Sequence, residues 1–138
     1  MKKLTLFFAF IMILTLFGLK TNSYAQNGPV LYFCEEYGSN GEVNISDRFT
    51  TGFITVMVKC KYALGLTDVS IQMDKYNFST GKFEYYQKSA YSITADMSYI
   101  YFEGDKEKIN FKVPGIYRVY LLDASGTTVT SSLIEIIK

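Results

Sequence analysis

The 138-residue chain contains no histidine and no tryptophan, and only two cysteines and two prolines. Without histidine it lacks the commonest general base, the Ser-His and Cys-His nucleophile pairs, and imidazole metal ligation. Enzymatic chemistry would have to rest on carboxylates, lysine, tyrosine or cysteine. Without tryptophan it also lacks the best platform for stacking a sugar ring. Blocks of like charge are missing too: 14 basic residues are interspersed with 13 acidic ones, a poor match to nucleic acid or an anionic membrane surface. Beyond residue 25 no window carries the 3.6-residue apolar period of a long helix. There are no internal repeats, linkers or low-complexity tracts.

The one long hydrophobic run is N-terminal, and it has the three-part layout of a secretory signal. Lys2 and Lys3 precede an apolar stretch over 4–19, broken only by Thr5, Thr15 and Gly18. A polar segment and the small-x-small triplet Ser23-Tyr24-Ala25 follow, placing cleavage between Ala25 and Gln26. The run is short for a membrane span, which needs roughly 20 apolar residues. Lipidation would need a cysteine directly behind the run. Cys34 lies well beyond it, behind bulky Phe33. The layout looks bacterial and points to the periplasm, the outer surface or secretion, with no membrane span after processing.

Residues 26–138 then form one domain, long enough for a single core. The leader removes Lys2, Lys3 and Lys20 and no acid, so 11 basic groups face 13 acidic ones and the net charge is −2. Tyrosine and phenylalanine are abundant (12 and 11 in the whole chain), alongside many Val, Ile and Thr, a strand-forming composition. Val69, Ile71 and Met73 alternate with polar residues, as do Ile109, Phe111 and Val113, and then Tyr117, Val119 and Leu121. Strands are expected over 30–34, 53–60, 69–74, 83–91, 99–103, 109–113, 116–121 and 129–137. The polar stretch 35–51 reads as a long connection with a brief strand near 43–45. Seven or eight short strands at this spacing predict an all-β, two-sheet sandwich. A closed barrel or jelly roll is the other all-β solution.

The run Pro114-Gly115-Ile116-Tyr117-Arg118-Val119-Tyr120-Leu121, with the turn Asp123-Ala124-Ser125-Gly126 and a last strand, resembles the closing hairpin of immunoglobulin-like domains in bacterial exported proteins. That resemblance implies that Gly115 opens the penultimate strand and that the Tyr117 hydroxyl ties down the preceding corner. It covers about 25 C-terminal residues. The core Trp and inter-sheet Cys pair of antibody domains are missing, and Val119 stands where the second Cys would be. The resemblance implies a fold and no activity.

Candidate chemistry is sparse. Cys34 and Cys60 could form a disulfide in an oxidising compartment. If the first two long strands pair antiparallel, however, the two cysteines lie at opposite ends of the pair, beyond the roughly 7 Å Cα limit. A disulfide therefore requires the first strand to cross elsewhere; otherwise both are free thiols. Glu35, Glu36, Glu42 and Asp47 could offer oxygen ligands to Ca²⁺, but no Ca²⁺-loop spacing is present, and a solvated loop is the simpler reading. No cofactor or metal is expected. The aromatic surplus stands out most: Tyr76, Phe78, Tyr85 and Tyr86 on the 74–85 hairpin form the candidate contact patch. The leading expectation is an exported, non-catalytic module that binds another envelope or surface protein through Tyr-rich strands. A carbohydrate-binding domain is the alternative, and a small hydrolase or thiol enzyme comes third. The terminal strand 132–137 is expected to pair within the core rather than to be offered to another chain. Intact mass or N-terminal sequencing of the exported protein is expected to find Gln26 as its first residue; a chain still starting at Met1 would refute the cleavage.

Overall fold

In the computed structural model the described residues are 28–105 and 108–138; the segment 1–25, expected to be a signal peptide, lies outside them. Period-two alternation determines which side chains meet. In β1 (Val30–Cys34), β6 (Thr55–Lys59) and β9 (Tyr99–Phe102), the residues Leu31, Phe33, Val56, Val58, Ile100 and Phe102 turn to one side. In β7 (Asp68–Asn77), β11 (Gly115–Asp123) and β12 (Thr128–Ile137), it is Val69, Ile71, Met73, Tyr117, Val119, Leu121, Ile134 and Ile136. These two sets face each other and form the core. Burying each aliphatic side chain contributes roughly 1.5–3 kcal/mol relative to leaving it in water.

β1, β6 and β9 form a three-stranded antiparallel sheet in the order β1-β6-β9. The second sheet runs β4-β12-β11-β7-β8, with β4 at Arg48–Thr50 and β8 at Lys82–Ser92. Within it β12 pairs antiparallel with β11 and parallel with β4. The last hairpin is thus central and a second hairpin, β7–β8, extends the edge, the arrangement of an immunoglobulin-like sandwich. Eight strands build the two sheets. The other four make two short ladders: β2 (Glu36–Gly38) with β3 (Gly41–Val43), and β5 (Gly52–Phe53) with β10 (Asn110–Phe111). No helix occurs among the described residues.

Three departures from the sequence reading have physical causes. The polar 35–51 segment is a hairpin plus the edge strand β4, because Gly41 takes a φ of 99° and closes a tight turn. The strand expected over 109–113 shrinks to two residues. Ile109 adopts a φ of 47°, and Val113 swings out to 43% exposure. The third departure is a β-bulge in the β7–β8 hairpin. Met73 pairs with Gln87 and the next residue, Asp74, pairs with Tyr85, leaving Tyr86 as the extra residue. Parity in β8 therefore switches: Gln87, Ser89 and Tyr91 lie opposite the inward residues of β7, whereas Phe83 and Tyr85 lie opposite Tyr76 and Asp74. The terminal strand has partners on both sides and is not an edge.

The entry into β11 is fixed by Tyr117. Its ring is fully buried, packed edge-on against Phe111 and Tyr86, and its hydroxyl donates to the Val113 carbonyl at 2.6 Å. Burial pushes the phenol well above its ordinary pKa, so it remains a donor. Gly115 adopts a φ of 153°, and a Cβ there would lie 2.7 Å from Cε of Lys75. A side chain at this position would strain the backbone and displace Lys75. Tyr117→Phe keeps the ring but orphans the Val113 carbonyl. It is expected to lower unfolding stability by about 1–3 kcal/mol, read as a lower denaturant midpoint at unchanged slope.

Candidate binding surface

Tyr76 lies next to the end of β7, Phe78 sits in the hairpin turn, and Tyr85 and Tyr86 belong to β8. The Asn77 side-chain oxygen accepts from the Ser79 amide at 2.9 Å, and Gly81 takes a φ of 67°, so the turn projects Phe78 outward. Phe78 is 75% exposed and packs edge-on against Tyr76 at 5.0 Å between ring centroids. Tyr76 in turn contacts Phe83 at 5.1 Å, also edge-on. Tyr85, 67% exposed, stands on the strand beside them. Tyr76, Phe78, Tyr85, Tyr86, Pro114 and Gly115 contribute to the wall of an open cleft of about 500 Å³.

The four candidate residues share this cleft but have different roles. Tyr86, displaced by the bulge, turns back toward the core. Its ring packs on Tyr117, and its hydroxyl accepts from the Lys112 amide at 3.2 Å and donates to the Asn110 carbonyl at 3.5 Å. It holds the corner before β11, while Tyr76, Phe78 and Tyr85, joined by Phe83, make the solvent-facing array.

A second aromatic cluster lies on the outer face of the other sheet, which the sequence reading did not single out as a patch. Tyr32, Met57 and Tyr101 lie in one row across β1, β6 and β9, and Val30, Lys59 and Tyr99 in the next. The β2–β3 hairpin joins this face: Tyr37 stacks on Tyr101 at 4.4 Å with an interplanar angle of 11°, and Glu42 accepts from the Tyr32 hydroxyl at 2.5 Å. Met57 is fully buried although it points away from the core. The sequence signal was present: Tyr99 and Tyr101 share a face by alternation, but pairing with Lys59 and Met57 and stacking on Tyr37, far away along the chain, is not a local pattern. Exposed aromatics thus divide between the two sheets instead of gathering on one.

Cys34 and Cys60 are free thiols. β1 and β6 pair antiparallel with Cys34 opposite Thr55, so Cys60 lies about five residues further on, about 17 Å away at roughly 3.3 Å per residue. No disulfide spans that gap. Cys34 is fully buried, and burial first, then the Glu42 charge, pushes its pKa up, which makes it a poor nucleophile. The loop carboxylates do not converge on an ion. Glu35 accepts from Asn44 at 2.5 Å, Glu42 is held by Tyr32, and no group of three His, Cys, Asp or Glu among the described residues could hold a metal.

The bonds from Tyr32 and Tyr99 hold the Glu42 carboxyl below its ordinary pKa. Its contribution to stability is complete above the unfolded-state carboxylate value and is lost as pH falls through the lowered one. The protection of the β2–β3 hairpin amides, as exchange relative to the intrinsic rate at each pH, is expected to fall across that acidic window, and Glu42→Gln to flatten the dependence. An unchanged profile in the variant would rule out Glu42 as the titrating group.

No protein-family model matches the chain, and no curated protein matches it in sequence. Among solved structures, an immunoglobulin-like protein from Pseudomonas aeruginosa aligns over 82% of this chain and 99% of its own, with a TM-score of 0.47 and 9% identity. A superoxide reductase (neelaredoxin) from Ignicoccus hospitalis aligns over 80% of each chain, with a TM-score of 0.43 and 7% identity. The assignment as an immunoglobulin-like sandwich rests on the strand order and corner described above.

Proposed function

We propose that the processed chain is an exported, non-catalytic module that binds a protein partner in the cell envelope through the aromatic tip of the β7–β8 hairpin. The observation that carries this reading is the exposure of Phe78 (75%) and Tyr85 (67%) beside an open cleft, in an array braced by Tyr76 and Phe83. Large rings held rigid at low entropy cost, with a polar rim, are what protein interfaces select. The geometry is unfavourable for a sugar. The hairpin rings meet at interplanar angles of 88° and 61°, so they do not form a coplanar platform on which a pyranose could stack. The N-terminal signal supplies the export route, and the loop carboxylates and thiols, dispersed as described, offer no catalytic pairing.

Pull-down from the envelope fraction with tagged processed protein is expected to enrich a protein that Phe78→Ser/Tyr85→Ser captures at least about tenfold less, at an unchanged melting temperature. Equal capture by the double variant, or nothing above a tag-only control, overturns the reading.

A further inference from the structure

Leu133, Arg118, Asp74 and Tyr85 form one row across β12, β11, β7 and β8 on the outer face of the five-stranded sheet. Arg118 occupies the middle of that face, half-buried. Its guanidinium carbon lies 4.6 Å from the centroid of Phe83, the ring that also contacts Tyr76. The two arginines of the chain differ sharply. Arg48 is paired with Glu135 at 2.7 Å, whereas Arg118 has no carboxylate within ion-pair distance among the described residues. Its neighbour in the row, Asp74, accepts from Gln72 Nε2 at 3.0 Å instead.

A guanidinium lying against a ring is anchored through its face, while its N–H donors remain in the plane and available. The ring contact places the guanidinium, and no ion pair among the described residues satisfies it. Local charge adds to this. The processed chain is net acidic, yet on this face Arg118 and Lys88 stand against Asp74, with Glu135 held by Arg48, while Lys75, Lys82 and Glu84 belong to the opposite face of the hairpin. Glu84 is already engaged, accepting from Asn77 at 2.9 Å and Thr80 at 3.0 Å.

We propose that Arg118 reads a carboxylate on the protein partner, so that the bound segment carries an Asp or Glu beside an apolar anchor seated among Phe78, Phe83 and Tyr85. This rests on the reading of the hairpin tip as a protein-binding surface. From Arg118 to Tyr85 the row crosses two strand spacings, about 10 Å, or about three residues of an extended peptide. The recognised pattern is then an acid about three positions from an aromatic or aliphatic side chain.

The test pans a random-peptide phage library on the processed protein in three forms: wild type, Arg118→Gln, and Phe78→Ser/Tyr85→Ser. Wild type is expected to enrich the acid-plus-apolar pattern, Arg118→Gln to enrich the apolar anchor without the acid, and the double variant to enrich neither. A synthetic wild-type-selected peptide is expected to bind Arg118→Gln about tenfold more weakly, and Asp74→Asn, which lacks the competing carboxylate, more tightly. Wild-type peptides without an acid, or an acid retained on Arg118→Gln, overturn the arginine assignment while leaving the surface standing. No enrichment over the double variant overturns both.

Discussion

The inward set of β11 governs the rest of the molecule. Tyr117, Val119 and Leu121 are fully buried between the sheets, and strand geometry then forces Ile116, Arg118 and Tyr120 to the opposite face. Because β11 pairs on both sides, its register is transmitted to β12 and β7, and through β7 to β8. A slip by one residue would exchange the buried and exposed sets of the whole sheet. Two local devices guard against it. The Tyr117 hydroxyl ties the strand to the chain four residues upstream, and the backbone at Gly115 takes a conformation few side chains allow.

Given that register, the surface is decided by the bulge at Tyr86. Without it, Phe83 and Tyr85 would share a face with Gln87, Ser89 and Tyr91 and point toward the inner side of the sandwich. The extra residue reverses parity at that position, so the tip of the hairpin turns its rings outward while its base keeps facing the core. Tyr86 itself is used to hold Asn110 and Lys112, the segment leading into the corner. One irregularity thereby builds the exposed array and braces the scaffold beneath it.

How much of this was legible in the sequence follows from the range of each interaction. Alternation at Val69, Ile71 and Met73 and at Tyr117, Val119 and Leu121 is a local pattern, and the structure buries those residues as a two-sheet sandwich requires. The brief strand near 43–45 was misplaced because the β2–β3 hairpin depends on a glycine turn within a polar stretch, where no apolar period marks strands. β4 is a three-residue strand that exists only through parallel pairing with the chain's last strand, and three residues carry no period to detect. The bulge was invisible for a related reason: it is a relation between two strands, and neither strand's composition announces it. The tyrosines of β1 and β9 form one cluster only because β6 lies between them.

Two kinds of aromatic residue stand out by what each ring or hydroxyl touches. Tyr32, Tyr86 and Tyr117 have hydroxyls bonded within the domain, to Glu42, to the Asn110–Lys112 backbone and to the Val113 carbonyl. For these, tyrosine is a strand former that also supplies an internal tie, and replacement by phenylalanine should be felt in stability. Tyr85 and Phe78 are different, since most of their surface meets water and a smaller residue would leave no hole in the core. Apart from the edge-on contact of Phe78 with Tyr76, large rings there gain little for folding that a threonine or lysine would not also provide. In the proposed reading such rings contact a partner outside the chain, and the half-buried Arg118, in the same row as Tyr85, would give that contact a preferred charge.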